Sequence, residues 1–360
     1  MEIQNWKAQA QKELKGKPIE NLIQEIENGV FVQPLLNEVQ IFPGVSFRAQ
    51  NTWNIQQSFN TNDPNVWNRL ALESLQGGTS KLVLPSGWKE AELRMALENI
   101  WIAYIEFQLP SKNEVDYKNV LADLAAEQGK GEAPNCHSFI FSSESLHALA
   151  ASHAEQMAYL ILLGIEHVES TDHSLENELA QLLFEFHISS KLLIEIAKLR
   201  GFRKLWAHVL SNANLEHACS NHCYLTAVTD RTFQAEIDSD NNLIRGTIQA
   251  CAAVLGGANA IEVSPMESFR KIDNSDHLRW ARNIHHLLAD ESYLKEYSDF
   301  ALGSYSIEDL TNQLVEEAWN IMKNFKESSH LLAHIKSLSE SRLQQREKEV
   351  IVGQNKYVRS

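Results

Sequence analysis

The chain has 360 residues, 44% hydrophobic and 22% charged, enough for one large α/β barrel or two modest domains. A formal net charge of −15 argues against nucleic acid or an anionic membrane as partner, since both call for a basic surface. No apolar run approaches the roughly 20 residues that span a bilayer, and four cysteines (Cys136, Cys219, Cys223, Cys251) make no disulfide framework. The acid-bearing N-terminus reads as neither a secretory signal nor a transit peptide, so a reduced, cytoplasmic protein is expected.

Residues 1–40 read as an arm. Trp6, Ala10 and Leu14 space a short amphipathic helix, Lys15-Gly16-Lys17-Pro18 breaks it, and Ile19 to Ile26 predicts a second helix. Val30 to Leu36 is extended, with Pro34 barring a central strand. Such an arm either lies on the surface or wraps a partner subunit.

From Trp53 the chain alternates strand and helix. Asp63-Pro64 opens a helix to Leu75, followed by a strand at Ser80–Leu84 and a helix at Lys89–Leu97. Ile100–Leu109 carries the strongest strand signal, aromatic and β-branched. A helix at Glu114–Glu127, a strand at His137–Ser142 and a helix at Ser145–Leu163 come next, then a weak strand at His167–Glu169. Leu182–His187 is a strand and Ser190–Leu210 a helix.

The stretch Asn241–Gly257 predicts a helix between strands Cys223–Val228 and Ala260–Ser264. Its Ile244, Ile248, Cys251 and Leu255 are spaced to face a core, Asp240 or Asn241 is placed to cap it, and Gly256-Gly257 provides its exit. Strand, helix and strand with short connections make a parallel crossover. Helices at Asp276–Asp290 and Ile307–Phe325 flank a weak strand at Gly303–Ser306, and 329–360 is a charged helical extension. Six clear and two weak strands favour a (β/α)8 TIM-type barrel over 41–328; no G-x-G-x-x-G supports an open dinucleotide-binding sheet.

Candidate chemistry is sparse. His217, Cys219, His222 and Cys223 bring imidazole and thiolate together, but their spacing fits no zinc finger, so no metal is expected. Among His137, His147, His153, His167, His173 and His187, the last ends a strand where barrel catalysis occurs, with Glu185 and Glu144 placed to orient it.

Several stretches resemble the methylmalonyl-CoA mutase family. They are the arm WKAQAQKELKGKPIENLIQEIENGVFVQPLL, Leu193–Ala207 (LIEIAKLRGFRKLWA), NNLIRGTIQACAAVLGG, Asp299–Thr311 (DFALGSYSIEDLT) and EKEVIVGQN. The resemblance implies a barrel threaded by the pantetheine of acyl-CoA, a separate adenosylcobalamin domain, and radical conversion of methylmalonyl-CoA to succinyl-CoA.

Position by position, the resemblance also implies lost chemistry. Where catalytic members carry W-x-I-R-Q-Y, this chain has Trp53-Asn-Ile55-Gln56-Gln57-Ser58, so Gln56 and Ser58 replace arginine and tyrosine. The family's S-G-Y-H is matched by Ser142-Ser143-Glu144-Ser145, and no arginine lies between Arg94 and Arg200 to grip the substrate carboxylate. The chain closes soon after VIVGQN, so no cobalamin domain is expected within it. The resemblance thus points to a small (beta) subunit that is itself inactive and binds no cofactor. Adenosylcobalamin would sit on a large catalytic partner in a heterodimer. The alternative is a barrel that binds or isomerises an acyl-CoA through His187, Glu185 and Glu144; a self-associating barrel is a third. A plugged axis would support the scaffold, an open one the acyl-CoA site.

Overall fold

The computed structural model describes residues 3–27, 29–40, 47–110, 115–129, 134–170, 179, 181–212 and 223–358. After a helix at Ile3–Glu13 (α1) the arm forms a 3-10 turn at Ile19–Leu22 and a hairpin, β1 (Gln24–Glu27) against β2 (Val30–Val32). The second arm helix expected at Ile19–Ile26 is therefore absent. Gln24–Glu27 pairs with β2 instead, because the hairpin gives its backbone a ladder that the isolated sequence does not reveal.

The barrel strands are β3 (Asn54–Gln57), β4 (Lys81–Val83), β5 (Glu106–Gln108), β6 (Cys136–His137), β7 (Phe139–Ser142), β8 (Leu182–Ile188), β9 (Tyr224–Thr229) and β10 (Ala260–Glu262). They form one eight-stranded sheet in the order β6-β5-β4-β3-β10-β9-β8-β7, every pair parallel. The edge strands β6 and β7 are consecutive in the chain with only Ser138 between them, so one stretch serves both edges and the sheet nearly closes on itself. Helices surround it, and the architecture is the (β/α)8 TIM type that the alternation predicts.

Closure differs in detail from the sequence expectation. His137–Ser142 is split into two short strands, and only Glu106–Gln108 of Ile100–Leu109 joins the ladder, behind a 3-10 turn at Ile102–Tyr104. Both weak strands are helical or turn: His167–Glu169 ends α6 (His153–Glu169), and Gly303–Ser306 turns into the helix that follows. The count is made up by Asn54–Gln57, whose two glutamines hide its strand character, and by the split of His137–Ser142.

The outer helices are α2 (Pro64–Gln76), α3 (Glu90–Ala96), α4 (Tyr117–Glu127), α5 (Glu144–Ala148), α6, α7 (Leu192–Asn212), α8 (Asn241–Leu255), α9 (Ser275–His286) and α10 (Tyr305–Phe325), with α11 (Ser328–Arg346) in the C-terminal extension. Asp63 caps α2 as its sequence demands, accepting the N–H groups of Asn65 at 2.9 Å and Val66 at 3.3 Å. The single helix expected at Ser145–Leu163 is broken into α5 and α6 at Ala150, which adopts a positive φ of 54°. Two apolar cores fill the space between sheet and helices, a large one around β7–β10 and a smaller one around Trp67, Leu82, Trp88 and Phe107. Among the described residues no helix is long and apolar enough to cross a membrane.

The inward stripe expected on α8 is met in half: Cys251 and Leu255 pack against the core, but the two isoleucines turn outward. Ile244 and Ile248 are 64% and 43% exposed, whereas Asn242, Gly246, Gln249, Ala250 and Ala253 are buried. Small residues let the helix approach the sheet closely, and Asn242 is needed inside. It bonds both backbone groups of Ala235 and the carbonyl of Met266, at 2.8–2.9 Å. Satisfying those buried backbone groups outweighs burying two isoleucines.

Candidate functional site at the barrel axis

Asn54, Lys81, Glu106 and Tyr224 are each the first residue of a barrel strand, and together they form a polar layer across the axis. Lys81 Nζ lies 3.1 Å from Glu106 Oε1, which is also 3.0 Å from His137 Nε2. Asn54 Nδ2 donates to Glu106 Oε2 at 2.7 Å and to the Tyr224 hydroxyl at 3.1 Å. Lys81 then reaches the opposite wall, 3.4 Å from Thr226 Oγ1 and 4.4 Å from the Tyr224 ring centroid. Burial pushes the Glu106 pKa up, but Lys81 and His137 outweigh it and hold the carboxyl at about 2. Burial dominates at His137 and pushes its pKa down, so the ring stays neutral.

A second layer lies nearer the C-terminal mouth. Gln56 Nε2 donates to Glu262 Oε2 at 3.0 Å and Ser58 Oγ donates to Glu262 Oε1. Glu185 accepts from Ser142 Oγ at 2.8 Å and from Gln108 Nε2 at 3.1 Å. Gln108 stands on β5 and Glu185 on β8, so this bond spans the closure formed by β6 and β7.

The residues singled out by sequence separate into two groups. Gln56, Ser58, Glu185 and His187 lie at the mouth, while Glu144 and Ser145 are exposed on the first turn of α5. His187 Nε2 is 3.7 Å from Glu185 Oε1, beyond hydrogen-bond reach. Burial raises the Glu185 pKa, and His187, Ser142 and Gln108 together reverse that to a net lowering. A carboxylate so held is a weak base and a poor proton donor. His147 and His153 occupy other contacts: His147 Nε2 is 3.0 Å from Asp230, and His153 Nδ1 is 2.5 Å from Glu27 of the arm. His167 packs against Phe139, its ring centroid 4.2 Å away. His173, His217, Cys219 and His222 lie outside the described residues, and Cys223 is buried with its thiol pKa pushed up to about 11. Among the described residues no group of three or more His, Cys, Asp or Glu could hold a metal ion.

Lys81, Glu106 and Tyr224 went unnoticed in the sequence. The signal was present: polar residues recur two apart in short strands (Asn54, Gln56 and Ser58; Glu106 and Gln108), marking a polar face on elements buried on both sides.

Fold and site together define a parallel α/β barrel whose axis is crossed by its own polar side chains. A family model described as Methylmalonyl-CoA mutase matches residues 100–360. The chain belongs to the methylmalonyl-CoA mutase family. It is 23% identical over 386 aligned residues to a methylmalonyl-CoA mutase small subunit of Streptomyces virginiae, covering 91% of this chain and 62% of the relative. A methylmalonyl-CoA mutase of Escherichia coli is 29% identical over 256 residues, covering 66% of this chain and 35% of the relative. A methylmalonyl-CoA mutase large subunit of Porphyromonas gingivalis is 26% identical over 252 residues, with coverages of 66% and 35%. The chain thus spans less than two thirds of the length of these relatives.

Proposed function

We propose that the chain is the small, non-catalytic subunit of an adenosylcobalamin-dependent methylmalonyl-CoA mutase, paired with a large subunit that converts methylmalonyl-CoA to succinyl-CoA. The observation that carries this reading is the crossed axis. A pantetheine threading the barrel would have to break the bridge from Lys81 to Thr226 and the bond from Gln108 to Glu185. Breaking them would take an acceptor from the buried Lys81 ammonium and a donor from the buried Glu185 carboxylate, about 1–3 kcal/mol for each group left unsatisfied. At the family's arginine and tyrosine positions, Gln56 and Ser58 are both spent on Glu262. Glu144 and Ser145, in place of the tyrosine and histidine, face solvent.

The cofactor is assigned to the partner. Two cavities on the C-terminal face measure about 310 and 420 Å³, neither of them large enough for a corrin with its nucleotide loop, and no step is routed through the group. An arm that meets the partner is supported by the exposure of Phe31 and Leu35, 38% and 39%, while Gln313 on α10 clamps both backbone groups of Phe31 at 2.8 and 3.0 Å.

The test is co-expression with a large subunit. The expected result is co-purification, with turnover in the complex and none from this chain alone given adenosylcobalamin and methylmalonyl-CoA. Turnover by the isolated chain would overturn the non-catalytic role. Failure to co-purify would overturn the pairing.

A further inference from the structure

We infer that the cleft between α8 and the segment Val350–Val352 binds an amphipathic monoanion, an unbranched apolar tail ending in a carboxylate or phosphate. The inference does not depend on pairing with a large subunit. The cleft measures about 420 Å³ and adjoins the 310 Å³ cavity, sharing Ser189, Lys191, Phe233 and Glu349 with it. That size lies within the roughly 300–1,000 Å³ of small-molecule sites, and the lining follows the same pattern of apolar walls with few polar groups.

The walls are two apolar rows facing each other. Ile244 and Ile248 form one, at 64% and 43% exposure; Val350 and Val352 form the other, at 59% and 42%. β-Branched residues on an exposed helix face favour neither the helix nor the core, so their placement calls for something apolar between them. The rows are held in register before any ligand arrives. Arg245 donates to Asn242 Oδ1 on its own helix and to the Val352 carbonyl at 2.9 Å on the opposite wall. Gln354 accepts the Glu236 N–H at 2.8 Å and anchors the segment further. A preformed slot avoids most of the ordering cost of binding.

The sign of the head group comes from Arg245. In a chain of net charge −15, this half-buried guanidinium has no carboxylate within ion-pair distance among the described residues. Its two bonded partners are neutral oxygens, which leaves N–H donors and a full charge directed at the cleft it lines. Lys191, at the end shared with the adjoining cavity, is neutralised by Glu349 at 3.1 Å, so Arg245 supplies the uncompensated charge of the cleft. A cationic or neutral head would leave Arg245 uncompensated, and an unbranched tail suits a slot between two parallel rows.

Calorimetric titration of the full chain with straight-chain carboxylates tests this. Saturable binding is expected, tightening about fourfold per methylene until the slot is full. Arg245→Gln should weaken decanoate at least tenfold and leave decanol unchanged, and Ile248→Asp should remove both. Decyl phosphate against decanoate decides the head group. Trp101→Ala, on a separate apolar shelf lined by Leu72, Ile100 and Tyr104, should change nothing. The proposal is overturned if decanol binds wild type as tightly as decanoate, if Arg245→Gln leaves decanoate affinity intact, or if Trp101→Ala abolishes it. Absence of saturable binding, with a protein complex lost in Ile248→Asp, would assign the cleft to protein docking and also overturn it. The chain-length series on wild type keeps the test decisive should Ile248→Asp fail to fold.

Discussion

Lys81 Nζ crosses the barrel from β4 to stand 3.4 Å from Thr226 Oγ1 on β9, with its ammonium wholly buried. A fully buried lysine persists only where a carboxylate and further acceptors meet it, and Glu106 at 3.1 Å supplies the charge. The axis is thereby closed by a charged pair rather than by the stacked aliphatic layers usual in such barrels.

Lys81→Met should cost about 3–5 kcal/mol in urea unfolding, because Glu106 is left buried without its main counter-charge. Lys81→Met combined with Glu106→Gln should recover much of that loss. A double variant as unstable as the single one would show that packing of the lysine stem, not charge, holds the layer.

Docking of the arm should depend on pH through Glu27 and His153. Burial opposes the charged form of each. Glu27 and Glu195 nevertheless raise His153 from 6.5 to about 9, and His153 lowers Glu27 below 4.5. A raised His pKa contributes stability present below 6.5 and lost as pH climbs through about 9; a depressed Glu pKa contributes stability present above 4.5 and lost in acid. Lys198, 2.6 Å from Glu195, faces the same cluster. Proteolysis of the arm should therefore be slowest between pH 4.5 and 6.5 and quicken on either side. His153→Gln should flatten the alkaline limb.

Arg200 is buried, with Asp299 on Nη1 and Glu308 at 2.7 Å on Nη2, joining α7 to the start of α10. Arg200→Ala should destabilise by about 3–5 kcal/mol, since Glu308 loses the guanidinium and keeps Lys204 at 3.1 Å and the Gly303 N–H at 3.4 Å. Arg200→Lys should recover only part, because an ammonium lacks the planar fork that serves both carboxylates. Chemical denaturation of the three proteins measures the order.

Gly257 has a φ of +80°, and a Cβ there would stand 2.7 Å from Phe47 Cδ2 and 3.2 Å from the Arg48 backbone nitrogen. Gly257→Ala should cost about 2–4 kcal/mol from backbone strain and overlap together. Thermal unfolding should show it, whereas Gly303→Ala at a similar φ, with nothing within 4 Å, should cost less.

The helix at 241–255 illustrates how much of the fold was legible. Its limits and its exit at Gly256-Gly257 follow from local chemistry, and the structure places them there, although Asp240 makes no side-chain cap. Its orientation was legible only in part. Of the four apolar residues predicted to face inward, Cys251 and Leu255 do pack on the core, but Ile244 and Ile248 turn out because the barrel needed Asn242 inside to satisfy the Ala235 and Met266 backbone. That need arises from residues distant in the chain. Of the residues singled out from the sequence, Gln56 and Ser58 meet on Glu262, Glu185 lies 3.7 Å from His187, and Glu144 and Ser145 face out.

By itself the sequence determined the alternation of strands and helices, the parallel barrel class and the family, because hydrophobic period, capping and motif order are local properties of the chain. Only the tertiary structure decided how the barrel closes, through one stretch split at Ser138. It also decided which polar side chains meet across the axis and which face α8 turns outward. Those outcomes depend on strand register and on the balance of buried hydrogen bonds against apolar burial, which are set between segments far apart in sequence.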